Sequence, residues 1–223
     1  MKKQSLAAAF LAGALVLSSC GASNAVKGAG IGAAGGAAIG AGIGRVLGNT
    51  AVGAVIGGVV GGTAGTLIGK KMDKQKKELE RDVKDAKIES VNDGQAIRVT
   101  FDSGILFATG SATLSSTSQA TLRKFAANLS EHSDTDLMII GHTDNTGTDR
   151  VNNPLSYNRA ASVRSFLAGQ GVSSSRMKVE GKGSYEPVAD NSTVAGRREN
   201  RRVEVYILPS KEMVKAAHDG TLR

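Results

Sequence analysis

Residues 137–147, which read LMIIGHTDNTG, decide the fold of the part of the chain that contains them. The continuous apolar run 137–140 is typical of a buried strand. A glycine-bounded turn follows and places Asp144 just beyond the carboxyl end of the strand, where open α/β sheets tend to bind ligands. An apolar-periodic helix is expected next, at about 154–169, with Pro154 compatible with its start. The stretch therefore predicts a strand, a ligand-binding turn and a helix in succession.

The same patterns predict the other elements of this region. They are strands at 96–101, 177–181 and 202–208, a helix at about 115–131, and a turn or short helix at 191–199. Strands that alternate with helices over about 115 residues imply one α+β domain with α/β-like layers and a partly parallel, mixed sheet. We assign residues 92–210 to this domain and expect two main helices on one face of its sheet. Residues 211–223 are interpreted as a basic tail.

Length, charge and aromatic content limit the classes of function. A chain of 223 residues holds one domain of ordinary size together with extensions. The formal net charge of +8 suits nucleic acid, anionic lipid head groups or an acidic polymer, and charge alone does not choose among them. A nucleic-acid module stacks bases on aromatic side chains, and this chain has 5 Phe, 3 Tyr and 0 Trp. We therefore expect no nucleic acid partner.

The N-terminus has the layout of an export signal. Two lysines precede an uninterrupted apolar run at 6–17, which fits the core of a signal peptide and is too short to span a membrane. The segment 17–20, LSSC, resembles the bacterial lipobox, in which the cysteine is lipidated and becomes the mature N-terminus. Cys20 is also the only cysteine of the chain. The alternative is an ordinary signal peptide followed by a chance cysteine.

The lipobox resemblance implies a particular destination. It assigns residues 1–19 to a lipoprotein signal peptide and residues 20–27 to a lipidated linker. Several acyl chains on one residue anchor a protein stably in a membrane. Gly21 stands where the resemblance would require an aspartate for retention in the inner membrane. We therefore expect delivery to the outer membrane, with membrane attachment through Cys20.

Residues 28–69 carry a glycine at every fourth position in two runs, separated by a break at residues 49–50. Two matched runs joined by a polar pair predict a hairpin of two helices. A ridge of glycines lets another backbone approach closely, but glycine weakens a helix in water. The hairpin therefore needs a partner: itself, another copy in a homo-oligomer, or lipid. Membrane insertion, packed periplasmic helices and a flexible spacer stay open, and the segment resembles the glycine zippers of bacterial envelope lipoproteins.

The segment 70–91 is dense in charge, with Met72, Leu79 and Val83 at roughly helical spacing. We interpret it as a solvated, weakly amphipathic charged helix that acts as a stalk. Its lysines follow the apolar hairpin directly. An alternative is that they lie against the anionic head groups of a membrane.

Two charged residues near the turn can hold a ligand that carries both an ammonium and a carboxylate. Asp144 can accept the ammonium, and Arg159 can lean back over the start of its helix and bind the carboxylate through two hydrogen bonds. The backbone amides of Thr143, Asn145 and Gly147 offer further donors for an anion. The structural alternative is that Asp144 is an Asx-turn residue and Arg159 a solvated side chain.

The residues of this turn and helix resemble the core motif of the OmpA-like peptidoglycan-binding domain. The motif comprises Thr143-Asp144, Gly147, Asn152, Leu155-Ser156 and Arg159-Ala160, and the segments 169–172, 181–183, 187–191 and 200–205 continue it in order. The resemblance covers about half of the chain, residues 97–208. Together with the lipobox, the glycine zipper and the charged helix, the layout resembles the YiaD-like subgroup.

The resemblance implies non-covalent binding of peptidoglycan through the diaminopimelate residue of its stem peptide. Asp144 would pair with the ammonium of diaminopimelate, and Arg159 would pair with its carboxylate. The site residues that the resemblance implies are Asp144, Arg159, Thr146, Asn152, Thr143 and Arg202. Thr146 and Asn152 match positions that line the family's pocket, whereas Arg202 falls in the closing motif, where a structural role is equally compatible.

These features together predict a lipid-anchored protein that tethers the outer membrane to the cell wall, with its C-terminal domain in the periplasm. The alternative is a membrane-associated oligomer built by the glycine zipper, in which wall binding serves only as anchorage.

Catalytic, metal and cofactor sites are not expected. A hydrolase would use His142, Asp144 and Ser156, but no nucleophile elbow surrounds the serine, and His132 and His218 lie far away in the sequence. A metal site needs several convergent ligands, and the histidines are scattered. We therefore expect a binding protein and not an enzyme.

Overall fold

The computed structural model describes residues 60–108 and 110–223, which form six helices and five strands. The helices are α1 (Gly62–Asp82), α2 (Ser103–Leu106), α3 (Ser116–Glu131), α4 (Asp149–Gly169), α5 (Val194–Asn200) and α6 (Lys211–His218). The strands are β1 (Lys87–Val91), β2 (Ala96–Asp102), β3 (Thr135–Gly141), β4 (Met177–Gly181) and β5 (Arg202–Pro209). The predicted signal peptide, Cys20, the linker and most of the zipper hairpin lie outside the described residues. Within those residues, every helix is too short or too polar to cross a membrane.

The strands form one mixed sheet in the order β1-β2-β5-β3-β4. Strands β3 and β4 run parallel, with Leu137 opposite Met177, and all other neighbouring pairs run antiparallel. A parallel pair needs a crossover connection, and α4 lies in the segment that joins β3 to β4. The expected α+β class with a partly parallel sheet is therefore confirmed.

The hydrophobic core lies between one face of the sheet and the main helices. Alternate residues of β5 point into it, and Val203, Val205 and Ile207 are each 0% exposed. Phe101 of β2 meets Phe125 of α3 edge to face, with 5.5 Å between the ring centroids. Helices α3 and α4 both contribute to this core, so the two expected main helices share one face of the sheet.

The prediction of a solvated stalk is wrong for α1, because this helix packs on the domain. Ile68, Met72 and Leu79 are at most 1% exposed and belong to the same core as the sheet. A buried polar contact joins α1 to α3, in which Gln75 Nε2 donates to Asn128 Oδ1 at 3.0 Å. The many charges of α1 mark its solvent-facing side, and their density conceals an apolar stripe on the other side.

Two further segments differ from the expectation. Residues Lys87–Val91, expected as the end of the charged helix, form the edge strand β1, which pairs antiparallel with β2. The expected basic tail contains α6, which is capped by Ser210 and buries Met213 and Val214 in the core beside α1. The packed unit therefore runs from α1 to α6, which is wider than the predicted 92–210.

Helix α4 begins at Asp149 rather than at about 154, and Pro154 lies inside it. Asp149 stands in the first turn, where an acidic side chain interacts favourably with the helix dipole. The proline removes one backbone hydrogen bond, and it lies close enough to the helix N-terminus for the helix to continue. The turn or short helix expected at 191–199 is present as α5.

Candidate functional site

The turn after β3 is fixed at its start by two backbone hydrogen bonds. His142 N donates to Arg202 O at 2.9 Å, and Thr143 N donates to Gly183 O at 2.8 Å. The first bond ties the turn to β5, and the second ties it to the loop after β4. These two bonds hold the backbone directly before Asp144 against β5 and the loop after β4.

The Asp144 carboxylate is buried and accepts hydrogen bonds at both oxygens. Thr146 donates to Oδ1 from its backbone amide at 3.0 Å and from its hydroxyl at 2.5 Å. The Arg201 Nη1 donates to Oδ2 at 2.5 Å. Burial raises the pKa of Asp144, but the bonds from Thr146 and Arg201 outweigh it and bring the pKa below its usual value. Asp144 is therefore ionised at neutral pH.

Asn152 braces the turn from the first helical turns of α4. Its Nδ2 donates to Asp144 O and to Gly147 O, each at 3.1 Å. Its Oδ1 lies so close to Gly147 that a β-carbon at that position would be 2.8 Å away. The turn and the helix thus form one rigid unit in which Asn152 acts on the backbone and Thr146 acts on the carboxylate.

Ser156 fixes α4 against the loop after β4. Its hydroxyl donates to Asn153 O at 2.8 Å and accepts from Gly183 N at 2.9 Å. Gly183 is the same residue whose carbonyl holds the Thr143 amide. One loop residue therefore connects the turn with the helix that bears Arg159.

Arg159 is a buried guanidinium, only 3% exposed, and it is incompletely hydrogen-bonded. Its Nε donates to Ser111 O at 3.0 Å, and its guanidinium carbon lies 5.4 Å from the centroid of the Phe107 ring. Burial and the positive charge of Arg201 lower the pKa of Arg159, and Asp144 opposes them. Arg201 and Asp144 therefore both act electrostatically on the Arg159 guanidinium.

Two buried donors of this site have no hydrogen-bond partner among the described residues. They are Nη1 of Arg159 and Oγ1 of Thr143. An unpaired buried donor costs about 1–3 kcal/mol, and more for a charged group. A ligand that brings an anionic oxygen would remove this cost. The arrangement therefore combines one site for a cation, at Asp144, with one site for an anion, at Arg159.

Arg202 lies apart from this group. Its Nε donates to Glu204 Oε1 at 2.7 Å, on the face of β5 opposite the core, and its Nη2 donates to Glu186 O at 3.1 Å. Burial raises the pKa of Glu204, but Arg202 outweighs it and holds the pKa below its usual value. The structure thus gathers Thr143, Asp144, Thr146, Asn152 and Arg159 but not Arg202.

Arg201 stands at the carboxylate instead, and it was not among the predicted site residues. Both arginines fall in the segment 200–205 that continues the motif. The alternation of side chains along β5 could have distinguished the two arginines. Arg202 and Glu204 lie on one face of the strand, so Arg201, which directly precedes the strand, is expected on the other face. The motif alone does not tell which of the two faces Asp144.

The residues weighed for a hydrolase form no catalytic constellation. The Ser156 hydroxyl is occupied by Asn153 and Gly183. Both ring nitrogens of His142 are buried and have no hydrogen-bond partner among the described residues, and Nε2 lies 4.0 Å from Glu204 Oε2. Burial lowers the pKa of His142 to about 4, so the ring is neutral at physiological pH.

One group outside the site has the composition of a metal site. Glu78, Glu131 and His132 place their ligand atoms within 4.8 Å of one another, where α1 meets the end of α3. A contact of 2.6 Å between His132 Nε2 and Glu78 Oε2 accounts for the closest pair as a hydrogen bond between the two elements.

The α+β domain thus contains a buried carboxylate, Asp144, and a buried guanidinium, Arg159, whose Nη1 has no hydrogen-bond partner among the described residues. Two parts of the chain also match known protein families. Residues 106–201 match the OmpA family, and residues 1–73 match the YMGG-like Gly-zipper. Both resemblances inferred from the sequence, to the OmpA family in the folded domain and to a glycine zipper ahead of it, are therefore confirmed.

Individual proteins agree with this assignment. The chain is 37% identical to the probable lipoprotein YiaD of Escherichia coli K12, over 62% of this chain and 63% of that protein. It is also 37% identical to the peptidoglycan-binding protein ArfA of Mycobacterium tuberculosis, over 50% of this chain and 34% of that protein. The fold is similar to the cell wall anchor of the T6SS from Pseudomonas aeruginosa, with a TM-score of 0.54, 31% identity, and coverage of 60% of this chain and 96% of the other. The chain spans less than two thirds of the length of the two curated relatives, YiaD and ArfA.

Proposed function

We propose that this protein binds peptidoglycan non-covalently through the diaminopimelate of the stem peptide and tethers the outer membrane to the cell wall. One observation carries the proposal: among the described residues, Nη1 of Arg159 is buried without a hydrogen-bond partner, and the ionised carboxylate of Asp144 acts electrostatically on the same guanidinium. Such a pair suits a ligand with an ammonium and a carboxylate on one centre, as diaminopimelate has. The peptidoglycan-binding relative and the cell wall anchor support the choice of ligand.

Each residue of the site has a distinct task in this proposal. Asp144 takes the ammonium, and Thr146 keeps that carboxylate oriented and ionised. Arg159 and the hydroxyl of Thr143 bind the carboxylate of the ligand. Asn152 holds the turn so that the two charges keep their spacing. The role of Arg202 is to stabilise the domain through Glu204 and not to touch the ligand.

Affinity in this proposal comes from the number of contacts rather than from their strength. Each charge-assisted hydrogen bond contributes about 1.5–3 kcal/mol, and association costs remove much of that sum. A single site therefore binds weakly. A protein held at a membrane beside a polymeric wall has a high effective concentration, so many weak contacts hold firmly.

The proposed anchor is the lipidated Cys20 in the outer membrane, with the OmpA-family domain in the periplasm. The lipobox-like segment and the similarity to a probable lipoprotein support this part of the proposal. A basic chain also suits the acidic sacculus.

Co-sedimentation of the full chain with purified sacculi tests the proposed site. We expect the wild type to pellet with sacculi that contain diaminopimelate, and we expect Arg159→Gln and Asp144→Asn to stay in the supernatant. Arg164→Gln is the matched control, since it makes the same change on α4 at a residue whose guanidinium bonds only weakly, to Ser174 O at 3.5 Å. Circular dichroism establishes that each variant is folded. Retention of binding by both site variants would refute the assigned site.

The Gly-zipper match favours one alternative, a membrane-associated oligomer in which wall binding is only anchorage. The same preparations test it. Oligomers that survive detergent and persist in variants unable to pellet with sacculi would favour assembly as the main function. Oligomers that disappear together with wall binding would favour tethering.

A further inference from the structure

We infer that Arg201 is a built-in competitor of the ligand: it occupies Asp144 while the site is empty and is displaced by the ligand's ammonium. This inference rests on the proposed function, because it concerns the same site. In this inference Arg201 influences the affinity and specificity of the site, but it does not bind the ligand itself.

The two partners of the ion pair differ in freedom to move. The Asp144 side chain is 7% exposed, whereas the Arg201 side chain is 37% exposed. The backbone of Arg201 is fixed, because its amide donates to Arg197 O at 3.1 Å and its carbonyl accepts from Ser103 N at 2.9 Å. A displacement would therefore involve the side chain alone, which can turn into solvent while the backbone stays in place.

The carboxylate is divided between a permanent and an exchangeable partner. Oδ1 accepts both bonds from Thr146, which belongs to the same turn as Asp144. Oδ2 accepts from Arg201, which lies 57 positions later in the sequence. An ammonium that arrives at Oδ2 can replace Arg201 while Thr146 remains bound. The carboxylate then exchanges one cation for another and is never left unpaired, which a buried charge requires.

Arg159 does not share this freedom. Ser111 O, the Phe107 ring and burial hold its guanidinium in place. The positive charge of Arg201 acts against that of Arg159, so the two cations repel each other while Arg201 is paired with Asp144. A ligand that sends Arg201 into solvent and supplies a carboxylate to Arg159 relieves this repulsion.

This arrangement has a consequence for selectivity. A ligand with a free amine forms an ion pair with Asp144 but breaks the one between Arg201 and Asp144. Only the difference in free energy between the two ion pairs contributes to its affinity. A ligand whose amine is blocked leaves Arg201 on Asp144 and gains nothing there. Arg201 therefore keeps each single contact weak and reversible. Its removal should strengthen binding of free-amine ligands alone.

Isothermal titration of the full chain in detergent, with two soluble stem tripeptides, tests the inference. Both peptides end in meso-diaminopimelate and have a blocked N-terminus; in one the side-chain amine of diaminopimelate is free, and in the other it is acetylated. We expect Arg201→Met to bind the free-amine peptide about two- to fivefold more tightly than the wild type, which is the range of a half-exposed ion pair. Binding of the acetylated peptide should not change.

Two further variants control for charge and folding. Arg201→Lys keeps a cation that can reach the carboxylate and should resemble the wild type. Arg198→Met removes an equal charge from α5, where Arg198 pairs with Asp102 instead of Asp144, and should change neither affinity.

The outcomes separate the inference from the function on which it rests. Weaker binding of the free-amine peptide by Arg201→Met would mean that Arg201 grips the ligand, which overturns the inference alone. Equal strengthening for both peptides would also overturn it, because the effect would not depend on the amine. Failure of the wild type to bind the free-amine peptide would overturn the proposed function and the inference together.

Discussion

Gly141 at the end of β3 lies directly against the backbone of Ser156 in α4, so close that a β-carbon on Gly141 would overlap the Ser156 carbonyl oxygen. Its neighbour in the sheet register, Gly181, is crowded in the same way by Tyr157. The strand ends admit the helix only because both residues lack side chains. This close approach sets the distance between the turn with Asp144 and the helix with Arg159.

Gly141→Ala should therefore be strongly destabilising. The new methyl group must push α4 away from the sheet, and we expect the free energy of unfolding to fall by about 2–4 kcal/mol, the range of severe steric substitutions. Gly169→Ala is the control, since a β-carbon there meets nothing within 4 Å. It should change stability by no more than about 0.5 kcal/mol. Urea unfolding of both variants measures the difference, and similar values would contradict the packing described.

A second prediction concerns pH. Burial lowers the pKa of His142 to about 4 from 6.5, with Arg202 adding to the effect and Glu204 opposing it. The folded state therefore favours the neutral ring, and the unfolded state binds the proton more readily. The stability from this residue is fully present above pH 6.5 and is lost as the pH falls toward 4. The loss amounts to about 3 kcal/mol at most.

His142→Gln has no titrating ring and should show a shallower fall in stability over this window. Urea unfolding at intervals from pH 7.5 to 4.5 gives the two curves. The carboxylate of Asp144, whose pKa is lowered by partners other than His142, affects both proteins in the same way below this range. Parallel curves would show that His142 is not buried as a neutral ring.

The packing of α1 gives a third prediction. Leu79 is 0% exposed within the core, so Leu79→Ala should lower the free energy of unfolding by about 2–5 kcal/mol. Lys77→Ala, on the exposed side of the same helix, should change it by less than about 0.5 kcal/mol. A solvated stalk would make both substitutions neutral. Thermal or urea unfolding of the full chain distinguishes these cases.

The fourth prediction separates Arg202 from the binding site. Arg202→Met leaves the buried carboxylate of Glu204 without its main partner, and we expect a loss of about 3–5 kcal/mol of stability. Adding Glu204→Gln removes the uncompensated charge and should restore part of that loss. The folded double variant should still pellet with sacculi. A stable double variant that fails to bind would show that Arg202 contacts the ligand after all.

The elements with strong periodicity were predictable from the sequence, and those that depend on tertiary packing were not. The apolar run of β3 and the apolar faces of α3 and α4 gave the correct order of elements and a partly parallel sheet. Strand β1 was missed because KIESV is a short, charged edge strand whose identity depends on pairing with β2. The docking of helices α1 and α6 was missed because charged residues stand between the few apolar residues that dock.

The candidate site shows the same division. The charges of Asp144 and Arg159 were identifiable because the turn and the helix are local in sequence. The partner of Asp144 was not, because Arg201 lies between α5 and β5, more than fifty residues away in the sequence, and reaches Asp144 only through the tertiary fold. The brace that Asn152 provides to two carbonyls likewise follows from the shape of the turn.

The docking of α1 also determines how the domain carries mechanical load. A pull on the chain ahead of Gly62 reaches α1 before it reaches any strand of the sheet. Ile68, Met72 and Leu79, together with the bond from Gln75 to Asn128, must separate before the force is applied to β1. Tension applied ahead of Gly62 would therefore load the contacts between α1 and the core before it loads the strand pairing of the sheet.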